Sequence, residues 1–213
     1  MTTVRREVER VLKRDACSGC GLCPLLDSGL QMQLNAEGYL RPTPVGPIEE
    51  PAGAVRTFRK ACPGLRVNAR AGTQGTRDRL LGGYIALFEG CAVDADARQR
   101  GSSGGVLTAL QAWLIESGRV SAFTSAASDP NAPTRTVPVT ITSRAEAMAA
   151  AGSRYAPVGV AGSATGVGQG FAGKPCEAAA VRAFAAAEPG EDPIILSFFC
   201  AGTPSQHATT ELI

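Results

Sequence analysis

The chain has 213 residues, 44% hydrophobic and 19% charged, with a formal net charge of +2. That balance is ordinary for a globular protein and gives room for one large domain, or a small domain joined to a larger one. It excludes a basic, aromatic-interleaved nucleic-acid surface and a membrane span of ~20 apolar residues, and the single histidine, His207, disfavours His-based acid–base chemistry or a multi-His zinc site.

Residues 3–14 carry Val4, Val8, Val11 and Leu12 at helical spacing, which predicts an amphipathic helix leading into a cysteine cluster. The same stretch holds Arg5, Arg6, Glu7, Glu9, Arg10, Lys13 and Arg14, with no apolar core of signal-peptide length. A cytoplasmic location is therefore expected, where seven cysteines point to metal or redox roles rather than disulfides. Residues 30–35 alternate apolar and polar, and Asn35-Ala36-Glu37-Gly38 is a turn into 39–41, so a small hairpin is predicted. The proline-rich stretch 42–53 reads as loop, and the polar, Gly-punctuated stretch before residue 80 as a linker. Beyond it, 84–88 reads as a strand, 101–105 as a loop, 106–116 as a helix stopped by Gly118, and 120–124 as a strand. Residues 137–142 form another strand, held to a sheet edge by Pro138. Ser143-Arg144-Ala145-Glu146 fits a capping box for a helix ending at Gly152. A helix over 177–187, a buried strand over 194–199 and a helix starting at Ser205 complete the series.

The expected fold is α/β: a small N-terminal iron–sulfur module over residues 1–67, a linker over 68–80, and a mixed α/β domain over 81–213. The module rests on Cys17-x-x-Cys20-x-x-Cys23. Three thiolates at that spacing let a short loop wrap one side of a cubane cluster, and the small residues between them admit backbone amides to the sulfides. A bacterial ferredoxin run would put its next cysteine at position 27, which is Asp27; Cys62-Pro63 supplies the fourth ligand from a distance. A [4Fe–4S] site on Cys17, Cys20, Cys23 and Cys62 is therefore expected. The alternative is structural zinc, although zinc cysteines usually come as two pairs rather than three and one. Cys91, Cys176 and Cys200, in apolar or Gly/Pro settings, read singly as inert buried thiols.

Arg98-Gln99-Arg100-Gly101-Ser102-Ser103-Gly104-Gly105 precedes a helix. Unobstructed amides, two hydroxyls and a helix N-terminus suit a phosphate, with Arg98 or Arg100 as counter-charge; a tight turn of small residues is the other reading. Neither the Walker ending nor a Gly-x-Gly-x-x-Gly pattern is present. Amidase chemistry on the same loop would need a lysine partner, and none lies between Lys60 and Lys174.

With these residues in place, the chain resembles the coenzyme F420 hydrogenase/dehydrogenase beta-subunit family. The resemblance is carried by Cys17 to Cys23, Cys62-Pro63-Gly64, and Asp94 to Arg98 leading into Gly101 to Gly105. Gly152-Ser153-Arg154-Tyr155, Gly173-Lys174-Pro175-Cys176 with Arg182, and Phe199 to Ser205 continue it in the same order. It implies an iron–sulfur flavoprotein in which electrons pass between a cluster and FAD, with coenzyme F420 as candidate hydride partner. Arg98, Ser102, Ser103, Gly104, Gly105, Ser153, Tyr155, Pro175 and Cys176 are the implied flavin contacts. For Ser153 and Tyr155 the alternative is an ordinary helix stop with the ring in the core. The implied partner is a hydrogenase or dehydrogenase subunit, or a ferredoxin. Members usually run well past the Cys200-Ala201-Gly202-Thr203-Pro204-Ser205 segment, so a shortened member or a fragment is expected, with apolar surface near the C-terminus. A non-catalytic electron-transfer or assembly module is the competing reading.

Overall fold

The structure is a computed structural model and describes residues 2–68, 75–80, 82–164, 169–187 and 192–212. It opens with α1 (Val4–Leu12), started by Thr3, whose hydroxyl accepts the Arg6 N–H at 3.3 Å. The short helix α2 (Cys23–Leu26) begins with Pro24 in its first turn and gives way to a hairpin, β1 (Leu30–Leu34) against β2 (Leu40–Pro44). The hairpin was expected, but β2 takes in Pro42 and Pro44 from the supposed loop. With two strands only, both are edges, where proline's missing N–H breaks no ladder.

Helix α3 (Ala54–Ala61) was not anticipated from its sparse apolar residues. It buries Ala54, Phe58 and Ala61, and stops at Cys62. Pro63 explains the stop: it forces the residue before it into extended backbone, and Cys62 has φ −69° and ψ 113°.

A two-stranded ribbon, β3 (Thr76–Asp78) with β4 (Gly82–Tyr84), follows. Residues 69–74, within the expected linker, lie outside the described residues. The strand expected over 84–88 stops at Tyr84, and Ile85, Leu87 and Phe88 beyond it are exposed.

The remaining elements are α4 (Ala95–Arg100), α5 (Val106–Glu116), β5 (Phe123–Asp129), β6 (Ala132–Ile141), α6 (Arg144–Ala149), β7 (Gly170–Gly173), α7 (Pro175–Ala185), β8 (Ile194–Ser197) and α8 (Gln206–Glu211). Four strands form one mixed sheet in the order β6-β5-β7-β8, with β5 antiparallel to β6 and parallel to β7, and β7 parallel to β8. The α/β class is thereby as expected, and Pro138 lies on an edge strand. At α6 the Ser143 hydroxyl accepts the Glu146 N–H, while the Glu146 carboxylate takes the Thr142 N–H. Strand β8 departs from expectation. It is the opposite edge of the sheet, Ile194 is partly exposed, and Phe199 lies beyond its end, 95% exposed.

Two apolar cores hold these elements together. The larger joins Val4, Val8 and Val11 of α1, Leu22, Leu26 and Phe58 to Val160, Phe171 and Val181. The N-terminal helices and the α7 side of the sheet therefore share one core, and α3 packs on α7. The smaller core, Ala112, Leu114, Phe123, Ile141, Ala147 and Ala172, lies where α5 and α6 cover the sheet. Complete burial of a side chain such as Phe58 or Phe123 stabilises the fold by about 1.5–3 kcal/mol. No described helix is long and apolar enough to cross a membrane.

Candidate functional site

Cys17, Cys20, Cys23 and Cys62 line one small, partly open cleft of about 20 Å³, with Val8, Val11, Met32 and Phe58 among its apolar walls. All four are free thiols. Cys17, Cys20 and the first residue of α2 come from the loop after α1, and Cys62 comes from the Pro63-stopped end of α3. Among the described residues, no three His, Cys, Asp or Glu side chains are close enough to hold a single metal ion.

Burial sets the electrostatics of the cleft. It pushes the Cys20 thiol up to about 12 and the Cys23 thiol well above its ordinary value. Burial also raises Cys62, where the backbone N–H groups of Gly64 and Leu65 work in the opposite direction. Such thiols stay neutral until a metal displaces their protons, and a coordinating thiol is deprotonated outright. Four convergent sulfurs, apolar walls and nearby amides fit an iron–sulfur cluster.

The cysteine loop is held by close backbone contact and by buried charge. Gly21 has φ +92°, and a Cβ there would lie 2.5 Å from the Gly159 carbonyl oxygen, so the two chains meet where no side chain fits. Beside that contact the Ala161 N–H donates to the Cys20 carbonyl at 3.0 Å. Asp27, fully buried, accepts from Arg5 Nε at 2.7 Å and from the Gly29 and Glu49 N–H groups at 3.0 Å each. Burial alone would raise its pKa; Arg5 and the two amides outweigh that and hold it below the ordinary value. Glu7 plays the same part between helices, accepting from Arg59 of α3 at 2.7 Å and from Arg10 at 3.1 Å. The Arg59 hydrogen bond holds its carboxyl below the ordinary range against the effect of burial.

The second group of candidate residues surrounds the loop before α5. Ser103, Gly104 and Gly105 all have positive φ, and no side chain caps the α5 N-terminus, leaving its amides available to an acceptor. The glycines also serve packing: a Cβ on Gly104 would lie 2.8 Å from that of Cys91. Ser102 and Ser153 are brought together, their hydroxyls in contact, which joins this loop to the segment after α6. Arg98 donates to the Ala92 carbonyl at 2.8 Å. Tyr155 is 71% exposed and lies outside the core.

Pro175 and Cys176 open α7 at the cysteine loop. Cys176 is half-buried, which raises its thiol pKa, and the Ser18 hydroxyl, between Cys17 and Cys20, works in the opposite direction. Of the three other cysteines, Cys91 and Cys200 are exposed rather than buried. Sequence reasoning missed the Lys174–Glu177 pair beside Cys176, with 2.9 Å between Nζ and Oε1 and both residues buried. Its one signal was the isolation of Lys174 in a lysine-poor stretch.

Residues 87–163 match the family described as coenzyme F420 hydrogenase/dehydrogenase, beta subunit N-terminal. This bears out the resemblance drawn from the motifs. No curated protein matches the chain. Among solved structures, a chain of the F420-reducing [NiFe] hydrogenase complex from Methanosarcina barkeri is similar in fold, with 21% sequence identity and a TM-score of 0.52. The similarity covers 57% of this chain and 46% of that one, so the present chain spans about half the length of its structural relative.

Proposed function

We propose that this chain is the iron–sulfur and flavin-binding part of an oxidoreductase that exchanges electrons with coenzyme F420 or with a ferredoxin-type protein. The observation that carries the reading is the convergence of Cys17, Cys20, Cys23 and Cys62 on one apolar-walled cleft. Three cysteines at two-residue spacing with a fourth at a distance suit a cluster better than the two cysteine pairs usual for zinc. When bound, a [4Fe–4S] cluster supplies one-electron transfer and FAD the conversion between single electrons and hydride. The chain's own residues hold these groups. The four thiols would ligate, Val8, Val11 and Phe58 of α1 and α3 would wall the cluster, and the amides of Gly64 and Leu65 would act on the Cys62 sulfur.

For the flavin, the uncapped start of α5 and the joined loops bearing Ser102, Ser103, Gly104, Gly105 and Ser153 are the proposed pyrophosphate cradle, with Arg98 nearby and Tyr155 offering an exposed ring face. Pro175 and Cys176 stand against the cysteine loop and would bring the two cofactors close. On this reading residues 1–67 serve the cluster and 81–213 the flavin. The similar fold in an F420-reducing hydrogenase complex and the family match at 87–163 support F420 as coenzyme and a larger assembly as setting.

A non-catalytic electron-transfer module is the second reading. It is favoured by the engagement of Arg98 with Ala92 and of Ser102 with Ser153, which leaves fewer free donors for a pyrophosphate.

The ligand set is tested by iron and sulfide analysis of two serine variants after anaerobic reconstitution. Cys20→Ser loses iron, whereas Cys91→Ser, an exposed cysteine, keeps the wild-type content. Unchanged iron in Cys20→Ser would remove that residue from the site. Flavin titration of the same samples separates the two readings, since only the first requires FAD to bind.

A further inference from the structure

Lys174 and Glu177 are buried, 8% and 1% exposed, in a chain whose other charged side chains are mostly at the surface. Both are hydrogen-bonded. The Glu177 carboxylate accepts the Val160 N–H at 3.0 Å, the Lys174 N–H at 2.8 Å and the Lys174 ammonium at 2.9 Å. The ammonium also donates to the Val158 carbonyl at 2.8 Å. The pair therefore fixes residues 158 and 160 from both sides. That same segment meets the cysteine loop: Gly159 stands against Gly21, and the next amide, Ala161 N–H, binds the Cys20 carbonyl. Lys174 also lines a small cleft with Ser18 and Gly19 of the loop. A buried pair is weak support for stability alone, because desolvation offsets most of its attraction. Its cost is better explained by what it holds in place.

We propose that Lys174 and Glu177 are positioning residues for the iron–sulfur site: they lock the 158–161 backbone onto Cys20 and Gly21 and set the charge around the cluster. This rests on the cluster reading above. Neither residue touches the metal; both act through backbone, as partners beyond the ligands commonly do.

The test uses the full chain, reconstituted anaerobically with iron and sulfide, and compares wild type with Glu177→Gln and Lys174→Gln. Two quantities are read: iron release to bipyridyl and the reduction potential of the cluster. Both variants take up iron, and both release it about tenfold faster than wild type. The potential moves up in Glu177→Gln, which leaves the ammonium unbalanced, and down in Lys174→Gln, which leaves the carboxylate unbalanced. Loosened packing alone would not shift the two in opposite directions.

Should a single variant fail to fold, Lys174→Met/Glu177→Leu removes both charges at similar volume. It then shows faster iron release at a near wild-type potential. Wild-type release rates and potentials in folded variants overturn the proposal. If wild-type protein itself assembles no cluster, the ligand assignment fails first, and the inference falls with it.

Discussion

Asp27 stands where a bacterial ferredoxin run would carry its next cysteine, and its carboxylate is spent on Arg5 and two backbone amides. The loop that carries three thiols is thus tied down by a buried acid instead of ending in a fourth ligand. Glu7 does comparable work between α1 and α3. Replacing it by Gln weakens two charge-assisted contacts, and denaturant unfolding at neutral pH shows a loss of about 1–3 kcal/mol. The effect is pH-dependent with a definite sign. The Glu7 pKa is lowered by folding, so its contribution is complete above the ordinary carboxylate value and is lost as pH falls through the folded value. The gap between wild type and Glu7→Gln therefore closes in acid; a gap that is constant with pH would contradict the assignment. The cysteines and the Gly-Ser loop were legible from spacing. Asp27, Glu7 and Lys174 were not, because a charged residue in a sequence reads as surface until its partners are known.

The cysteine loop and the 158–162 segment approach more closely than side chains permit. Gly162 adds to the contact, since a Cβ there would lie 2.5 Å from the Gly21 carbonyl. Gly21→Ala is therefore doubly disfavoured, by the positive φ and by Gly159, and should lower stability by at least about 1–3 kcal/mol. Thermal unfolding with iron analysis checks this: a lower midpoint and reduced iron are expected, and wild-type values for both would show that the approach is not required. Long, evenly patterned elements such as α1 and α5 were legible in the sequence. Strand β7 was not, since Gly170-Phe171-Ala172-Gly173 lacks β-branched residues, yet it lies inside the sheet between β5 and β8. Its glycine at 170 leaves the space that the Phe123 ring fills. The expectation at 84–88 ran the other way: the propensity was present, but the described strand ends at Tyr84.

At the scale of the whole molecule, the larger core runs from α1 through the cysteine loop to Phe171 and Val181. Motif order along the chain pointed to a cluster segment followed by a flavin segment. It gave no sign that α3 packs on α7, a contact between residues more than a hundred positions apart. That packing brings Cys62 and Cys176 to the same cysteine loop. The most direct test is an anaerobic absorption spectrum of the reconstituted wild-type chain with iron, sulfide and zinc analysis. The account predicts a brown protein, bleached by dithionite, with about four irons and four sulfides per chain. A colourless protein that retains one zinc, or takes up no iron, would contradict it.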